Sequence, residues 1–371
     1  MARIVLVAPG RGSYTRSELG YLGRFSDHPR CQERLDLAEQ ADALRRDKGE
    51  VSVSQLDQAG TFQPSRHLAG ENASALIFAC SAADAALIGP QHEVVAVLGN
   101  SMGWYSALYL SGMLSFAEAF RLVDGMGLHQ RGRQRGGQIL YPLVEEDWRP
   151  QPGRLEELID LVCSVCDIGD VGKPSPPLAS ALDDPISLDS TWAGLSIHLG
   201  GYAVLGGTES GLKALEERLP TVTQGGRDFP FRLARHSAFH TPLMQPASRY
   251  ALEELDDLQW NQPRAPAIDG GGTQWKPMQT LQEAVSHYTL IEQVLRPFDF
   301  TTAVRVAARE YNPDHFVLLG PGESLGGAVA QVLIAENWRG LNDRDSFQKA
   351  QQSDSPPLLS FSRVEQASLV V

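Results

Sequence analysis

A strand that turns directly into a helix is the feature that most constrains the fold of this chain. The run from Val94 to Leu98 is apolar and mostly β-branched, which is typical of a buried strand. It breaks into a Gly-x-Ser-x-Gly motif at residues 99–103, and a helical pattern follows. A serine on such a turn has its hydroxyl lifted clear of the backbone, and amides of the following helix can face an oxyanion. The motif therefore predicts acyl transfer through an ester of Ser101.

The chain contains a second Gly-x-Ser-x-Gly motif at residues 322–326, which also lies between a strand-like and a helical run. The two motifs differ in how tightly the chain turns before the serine. Only two residues separate Ser101 from its strand, whereas Ser324 follows a looser turn in which Pro321 supplies no amide. The tighter turn favours Ser101 as the nucleophile.

Strand-like and helical runs alternate along most of the chain. Apolar strand-like runs occur near residues 4–8, 94–98 and 315–319, and helical runs occur near 70–88 and 326–336. This alternation is typical of an α/β fold with a largely parallel sheet.

The alternation is interrupted between residues 136 and 227. Helical patterns at 154–166 and 209–218 flank a stretch rich in Pro, Gly, Ser and Asp at 167–190, which predicts an exposed loop. Polar, weakly patterned sequence also begins near residue 339. We therefore predict a core at 1–135 and 228–338, an inserted small subdomain at 136–227, and a surface tail at 339–371.

The composition disfavours several kinds of main partner. A formal net charge of −13 at pH 7 argues against a nucleic-acid surface or an anionic membrane. The sequence contains no run as long as a membrane span, and its N-terminal apolar run is too short for a secretory core, which predicts a cytoplasmic protein.

His236 and His240 have the spacing of zinc ligands on one helical turn. However, Ser237 stands where a zinc protease would have glutamate, which disfavours a metal site.

Four motifs occur in the order seen in malonyl-CoA:acyl carrier protein transacylases. They are Pro9-Gly10-Arg11-Gly12-Ser13, Gly99-Asn100-Ser101-Met102-Gly103, Ser237-Ala238-Phe239-His240 and Gly320-Pro321-Gly322. Ile291-Glu292-Gln293 with Arg296-Pro297-Phe298 also resembles a segment of that family. The chain resembles the family over about residues 3–335, and several spaced motifs are more specific than any single one. The resemblance at Gly320-Pro321-Gly322 implies that the second serine motif is a structural turn.

The resemblance implies a role for each matching residue. Ser101 would carry the acyl group, His240 would be its base, and the backbone carbonyl of Gln293 would orient the imidazole. The backbone amides of Met102 and Arg11 would form the oxyanion hole. The implied fold is an α/β-hydrolase-like core with an inserted ferredoxin-like small subdomain, and the active site would lie in the cleft between them.

The resemblance also implies the reaction. An acyl group would pass from coenzyme A to the phosphopantetheine thiol of an acyl carrier protein, in fatty acid or polyketide synthesis. The partners would be an acyl carrier protein and acyl-CoA, with these thioesters as substrates and no metal or redox cofactor. Two alternatives remain: a hydrolase that removes stalled acyl groups from the carrier protein, and a scaffold that has lost turnover.

One pocket position departs from the family. Its malonyl enzymes bind the free carboxylate of the substrate with an arginine that precedes glycine in a Leu-Val-acid-x-Arg-Gly pattern. Here Met126 occupies that place, and a thioether cannot pair with a carboxylate. The family therefore favours malonyl, whereas Met126 favours a neutral acyl group. The nearby arginines do not have a spacing that restores the contact: Arg121, Arg131, Arg133 and Arg135.

Other predicted pocket residues also differ from the family. Asn100 replaces the usual histidine before the serine, and Trp104 replaces the usual glutamate, although packing is the favoured role for this tryptophan. Arg11 replaces a glutamine, but an oxyanion role would use its backbone amide and survive the change. Phe239 matches the version associated with malonyl rather than branched units.

Overall fold

The structure, a computed structural model, describes residues 1–166 and 186–371. Residues 167–185, which include most of the loop predicted at 167–190, lie outside the described part. Within that part the strands are β1 (Arg3–Ala8), β2 (Glu93–Gly99), β3 (Gly137–Pro142), β4 (Ala193–Leu199), β5 (Tyr202–Gly207), β6 (Val222–Gln224), β7 (Arg227–Phe229), β8 (Phe231–Arg232), β9 (Ala267–Ile268), β10 (Gln274–Trp275), β11 (Phe298–Asp299), β12 (His315–Leu318) and β13 (Leu358–Ser360).

The α-helices of the same residues are α1 (Cys31–Arg46), α2 (Val53–Asp57), α3 (Pro64–His67), α4 (Gly70–Ala85), α5 (Gly103–Leu110), α6 (Phe116–His129), α7 (Arg154–Ser164), α8 (Glu209–Arg218), α9 (Gln245–Glu254), α10 (Gln282–His287), α11 (Gln293–Leu295), α12 (Phe300–Val306), α13 (Gly326–Ala335), α14 (Arg344–Gln351) and α15 (Val364–Ala367). A π-helical turn, Tyr288–Glu292, joins α10 to α11. None of the helices described here combines the length and apolarity needed to cross a bilayer.

The larger sheet has six strands in the order β10-β9-β2-β1-β12-β13. All neighbours pair in parallel except β10 and β9, so the predicted α/β fold with a largely parallel sheet is confirmed. The apolar residues of β1 and β2 are buried, apart from the half-buried Val94, which explains why both strands have continuous rather than alternating apolar sequence.

The turn between β2 and α5 requires both of its glycines. A Cβ atom on Gly99 would lie 2.1 Å from the carbonyl oxygen of Gly103. A Cβ atom on Gly103 would lie 2.3 Å from the carbonyl oxygen of Ala8, at the end of β1. Both distances are far below van der Waals contact, so the tight turn depends on the absence of side chains at these positions.

The smaller sheet has five strands in the order β11-β4-β5-β3-β8. The strands β3, β4, β5 and β8 pair antiparallel, and the chain runs β-α-β-β-α-β through them and helices α7 and α8. β11 then joins the edge in parallel with β4. Because β8 and β11 lie outside the insertion predicted at 136–227, the smaller sheet extends beyond those bounds. Strands of two residues are too short to show a periodic pattern.

The surface tail predicted at 339–371 is wrong. β13 pairs in parallel with β12 and forms the last strand of the larger sheet. Leu359, Phe361 and Val370 are fully buried, and the Phe361 N–H donates to the carbonyl oxygen of Leu318 at 3.0 Å. β13 has only three residues and follows a polar stretch, so the sequence pattern did not predict it.

Candidate active site

Ser101 and His240 lie within hydrogen-bond distance of each other. The Oγ atom of Ser101 is 2.7 Å from Nε2 of His240, although 139 residues separate the two in the chain. Both residues have left-handed backbone, with φ of 56° and 61°, a conformation that L-residues adopt at a cost. At Ser101 this conformation belongs to the tight turn that raises the hydroxyl above the end of β2.

The ring of His240 is held by the carboxyl end of α11. Nδ1 of His240 donates to the carbonyl oxygen of Gln293 at 2.6 Å, and the His240 backbone N–H donates to the carbonyl oxygen of Val294 at 2.9 Å. A carbonyl only accepts, so the proton of the neutral ring lies on Nδ1. Nε2 is therefore the acceptor that faces the hydroxyl of Ser101.

The environment of His240 keeps the imidazole neutral. The side chain is fully buried, and this desolvation lowers its pKa to about 4, against the opposing effect of the hydrogen bond to Gln293. At neutral pH the ring therefore has a free lone pair on Nε2 and can accept the serine proton.

The side chain of Gln293 makes further contacts that the sequence did not predict. Its Nε2 atom donates to the carbonyl oxygen of Ser101 at 3.1 Å, and its Oε1 atom accepts from the hydroxyl of Tyr105 at 3.0 Å. Gln293 thus contacts both Ser101 and His240. The sequence pattern does not show that Gln293 forms hydrogen bonds through its side chain as well as through its backbone carbonyl.

The two predicted oxyanion residues flank the serine. Met102 directly precedes α5, and its N–H forms no hydrogen bond with the described residues, whereas the next two N–H groups donate to the carbonyl oxygens of Asn100 and Ser101. The loop that contains Arg11 packs against the same turn. A Cβ atom on Gly10 would lie 2.7 Å from the carbonyl oxygen of Asn100 and 3.5 Å from Cβ of Ser101. The arrangement places both backbone segments beside the serine.

A cavity of about 670 Å³ opens beside Ser101. On one side its wall is formed by α6 and the loop after β1, and on the other by the strands of the smaller sheet. Most of the predicted site residues line it: Arg11, Asn100, Ser101, Met102, Met126, Phe239 and Gln293. His240 itself lies just behind the wall, where its ring contacts those of Phe239 and Phe298 at centroid distances of 6.2 and 5.3 Å.

With this geometry established, the chain can be compared with known proteins. No family model matches it. The malonyl CoA-acyl carrier protein transacylase of Escherichia coli K12 is 24% identical over 253 residues, which cover 68% of this chain and 70% of that protein. A phenolphthiocerol synthesis polyketide synthase of Mycobacterium marinum is 23% identical over 237 residues, or 64% of this chain. The chain spans only 9% of that much longer relative.

The solved structures that resemble this chain also include proteins named as transacylases. A malonyl-CoA:acyl carrier protein transacylase from Xanthomonas oryzae has a TM-score of 0.68 and 20% identity, and the match covers 100% of this chain and 98% of that one. This chain has the transacylase fold. A malonyl-transacylase solved with its type II polyketide synthase acyl-carrier protein has a TM-score of 0.66 at 19% identity, over 100% and 99% of the two chains. The neighbours consistently name this family, so the resemblance predicted from the motifs is confirmed.

Trp104 does not line the cavity of this transacylase fold, so its predicted place in the substrate pocket is wrong. The side chain is fully buried, its Nε1 atom donates to Oγ1 of Thr289 at 3.0 Å, and its ring meets Tyr288 edge-on at 5.4 Å. Trp104 therefore packs α5 against the helical segment that leads to Gln293, which is the packing role that the sequence favoured.

Ser324 lies on the outer part of the cavity wall, where it is exposed. Among the described residues no histidine is within hydrogen-bond distance of its hydroxyl. The turn before it uses left-handed glycines, Gly320 and Gly322, rather than a left-handed serine. These features distinguish it from Ser101.

The second histidine of the predicted pair lies elsewhere in the cavity wall. Nδ1 of His236 is 2.9 Å from the carbonyl oxygen of Ala234, and both ring nitrogens of His240 are already engaged by Ser101 and Gln293. Within residues 1–166 and 186–371 no group of three potential metal ligands occurs.

Proposed function

We propose that this protein is an acyltransferase that moves an acyl group from coenzyme A to the phosphopantetheine thiol of an acyl carrier protein. The observation that carries this proposal is the 2.7 Å contact between Oγ of Ser101 and a neutral His240 whose Nε2 atom is the acceptor. The names of the relatives, which include a transacylase bound to its carrier protein, support the choice of substrates and partner.

In the first half-reaction, Nε2 of His240 takes the proton of Ser101 as Oγ attacks the thioester carbonyl carbon. The backbone amides of Met102 and Arg11 donate to the oxygen that becomes negative, and one such donor contributes about 10²–10³ in rate. Collapse of the intermediate breaks the carbon–sulfur bond. The coenzyme A thiolate leaves with the proton from His240, and an acyl ester of Ser101 remains.

The second half-reaction runs the same steps in reverse order. His240 takes the proton of the phosphopantetheine thiol, and the sulfur attacks the ester carbonyl. The bond to Ser101 breaks, and its Oγ atom regains a proton from His240. Electrons and protons balance without a redox partner, so we propose that the thioesters are the only substrates and that no metal or cofactor takes part.

The proposal extends to the architecture and the setting. The β-α-β-β-α-β order of the smaller sheet supports a ferredoxin-like subdomain inserted in an α/β-hydrolase-like core, with the cavity between them. A relative named as a polyketide synthase and others named as malonyl CoA-acyl carrier protein transacylases support a role in fatty acid or polyketide synthesis. We also propose a cytoplasmic location, as the sequence predicts.

Intact-protein mass spectrometry after incubation with acyl-CoA tests the proposal. We expect an acyl adduct on the wild type and on Ser324→Ala, and no adduct on Ser101→Ala. Addition of a phosphopantetheinylated carrier protein should discharge the adduct onto the carrier. An adduct that survives in Ser101→Ala would refute the nucleophile, and release of free acid in place of transfer would identify a hydrolase.

A further inference from the structure

The guanidinium of Arg11 has an unusual set of partners. Its Nη1 atom donates to Oε1 of Gln130 at 2.9 Å, and its Nη2 atom donates to the carbonyl oxygens of Leu68 and Arg235 at 3.2 and 2.8 Å. All three acceptors are uncharged. Its Nε atom is buried and has no hydrogen-bond partner among the described residues. Arginine has five N–H donors, so two of them have no acceptor among the described residues.

No carboxylate in residues 1–166 and 186–371 forms an ion pair with Arg11. Glu71 acts on it only at longer range and is itself 3.5 Å from Arg131. Desolvation disfavours the charged form and lowers the pKa of Arg11 to about 10, against a smaller opposing effect of Glu71. The Arg11 side chain is part-buried, and a partly desolvated cation without a counter-ion is costly, so an anion that entered beside it would offset that cost.

Arg11 lines the same cavity as the nucleophile. The loop that carries it packs against the Ser101 turn, and its guanidinium reaches α6 through Gln130. Gln130 lies one helical turn beyond Met126, and its Nε2 atom donates to the Met126 carbonyl oxygen at 3.2 Å. Met126 has no charge, but the guanidinium of Arg11, from the loop after β1, lies beside the same stretch of helix.

The geometry points to Arg11 as the residue that binds a free carboxylate on the acyl group, which makes the substrates thioesters of dicarboxylic acids such as malonyl-CoA. This inference rests on the proposed acyl transfer through Ser101. The carboxylate would accept the unspent N–H donors of the guanidinium, while Met126 packs against the apolar part of the acyl chain. The role belongs to the side chain and is separate from the backbone amide of the same residue.

Two acyl-CoA substrates of nearly equal shape distinguish recognition of the carboxylate charge from a general loss of activity. Isovaleryl-CoA carries two methyl groups where malonyl-CoA carries two carboxylate oxygens. The rate of adduct formation on Ser101 is measured with each donor by intact mass. We expect the wild type to prefer malonyl-CoA, and Arg11→Gln to lower the malonyl-to-isovaleryl rate ratio about 10- to 100-fold, as expected for loss of a charge-assisted hydrogen bond.

Arg11→Lys and Arg133→Gln complete the test. Lysine keeps the charge without the planar fork, so part of the preference should remain. Arg133→Gln removes an exposed arginine just beyond α6, outside the cavity lining, and should leave the ratio unchanged. An equal loss with both donors in Arg11→Gln would make Arg11 a brace for its loop and overturn the inference.

The wild type alone also decides the matter if the variants do not fold. A wild type that is acylated as fast by isovaleryl-CoA as by malonyl-CoA would overturn the carboxylate role while leaving the proposed acyl transfer intact. No adduct on Ser101 with either donor would instead refute the proposed function, and this inference with it.

Discussion

Pro297 lies four residues after Gln293, at the position whose N–H would bind the Gln293 carbonyl if the helix continued. Proline has no N–H, and it restricts the residue before it to extended backbone. Arg296 accordingly has φ of −116° and ψ of 152°, and the helix ends at Leu295. The last carbonyls of α11 are left for other donors, and His240 takes two of them through Nδ1 and its backbone N–H.

Replacement of Pro297 by alanine should therefore slow acylation. The added N–H and the relaxed backbone at Arg296 would let the helix extend and compete with His240 for the Gln293 carbonyl. We expect a decrease of about tenfold in the single-turnover rate, equivalent to one neutral hydrogen bond. Arg296→Ala, which keeps the proline, is the matched control. Equal rates for Pro297→Ala and the wild type would show that the proline does not protect this carbonyl.

The pH dependence of acylation should reflect the buried state of His240. Because burial lowers its pKa to about 4, the neutral base is the main form at every pH above that value. The acidic limb of kcat/KM should lie near pH 4 rather than near the ordinary histidine value of about 6.5.

The lowered pKa of His240 also makes the folded protein less stable as the pH falls, whereas a histidine in a salt bridge stabilises the folded state at low pH. Between about pH 6.5 and 4 the unfolded chain binds a proton at His240 that the folded chain does not, so folding weakens as the pH falls. Rates are therefore read within seconds by acid quench, with circular dichroism as a check on folding. An acidic limb between pH 6 and 7 would contradict the buried, neutral imidazole.

Ser101→Gly should be more stable than Ser101→Ala, although both lack the nucleophile. Residue 101 has φ of 56°, which strains any residue with a Cβ atom but not glycine. We expect a difference of about 1 kcal/mol in the free energy of unfolding, measured by urea titration. Both variants lose the hydrogen bond to His240, so the comparison isolates the backbone. Equal stabilities would mean that the turn relaxes when the hydroxyl is removed.

Phe361→Ala should destabilise the protein strongly. The Phe361 side chain is fully buried and meets Phe25 edge-on at 5.9 Å, so its removal leaves a cavity that costs about 3–5 kcal/mol. Leu369→Ala, at a 49% exposed position in the same segment, should cost much less. Thermal or urea unfolding of the two variants provides the measurement. A small effect at Phe361 would restore the surface tail that the sequence predicts.

The sequence predicted the parts of this protein that depend on long or strongly constrained patterns. Long apolar runs revealed β1, β2 and α4, and the crowded turn at Ser101 could be recognised from its glycines together with its closeness to the preceding strand. The strands of two or three residues were missed because their pairing is determined by tertiary contacts rather than by periodicity.

The sequence also did not show which distant residues a side chain would contact. Arg11 meets Gln130 across 119 residues, and the indole of Trp104 turns away from the cavity although it lies only three residues after the serine. Such contacts depend on how separate elements pack. A position that matches a motif therefore indicates a backbone location more securely than a side-chain role.

The way in which β11 completes the smaller sheet limits how this protein can be recombined with others. Only four residues separate Gln293 from Phe298, the first residue of that edge strand, and Phe298 also packs against the ring of His240. A chimera that exchanges residues 136–227 as a cassette would give β11 a foreign neighbour and shift the carbonyl that aims the base. Exchanges that aim to alter the cavity should therefore carry the segment from Gln293 to Asp299 with them.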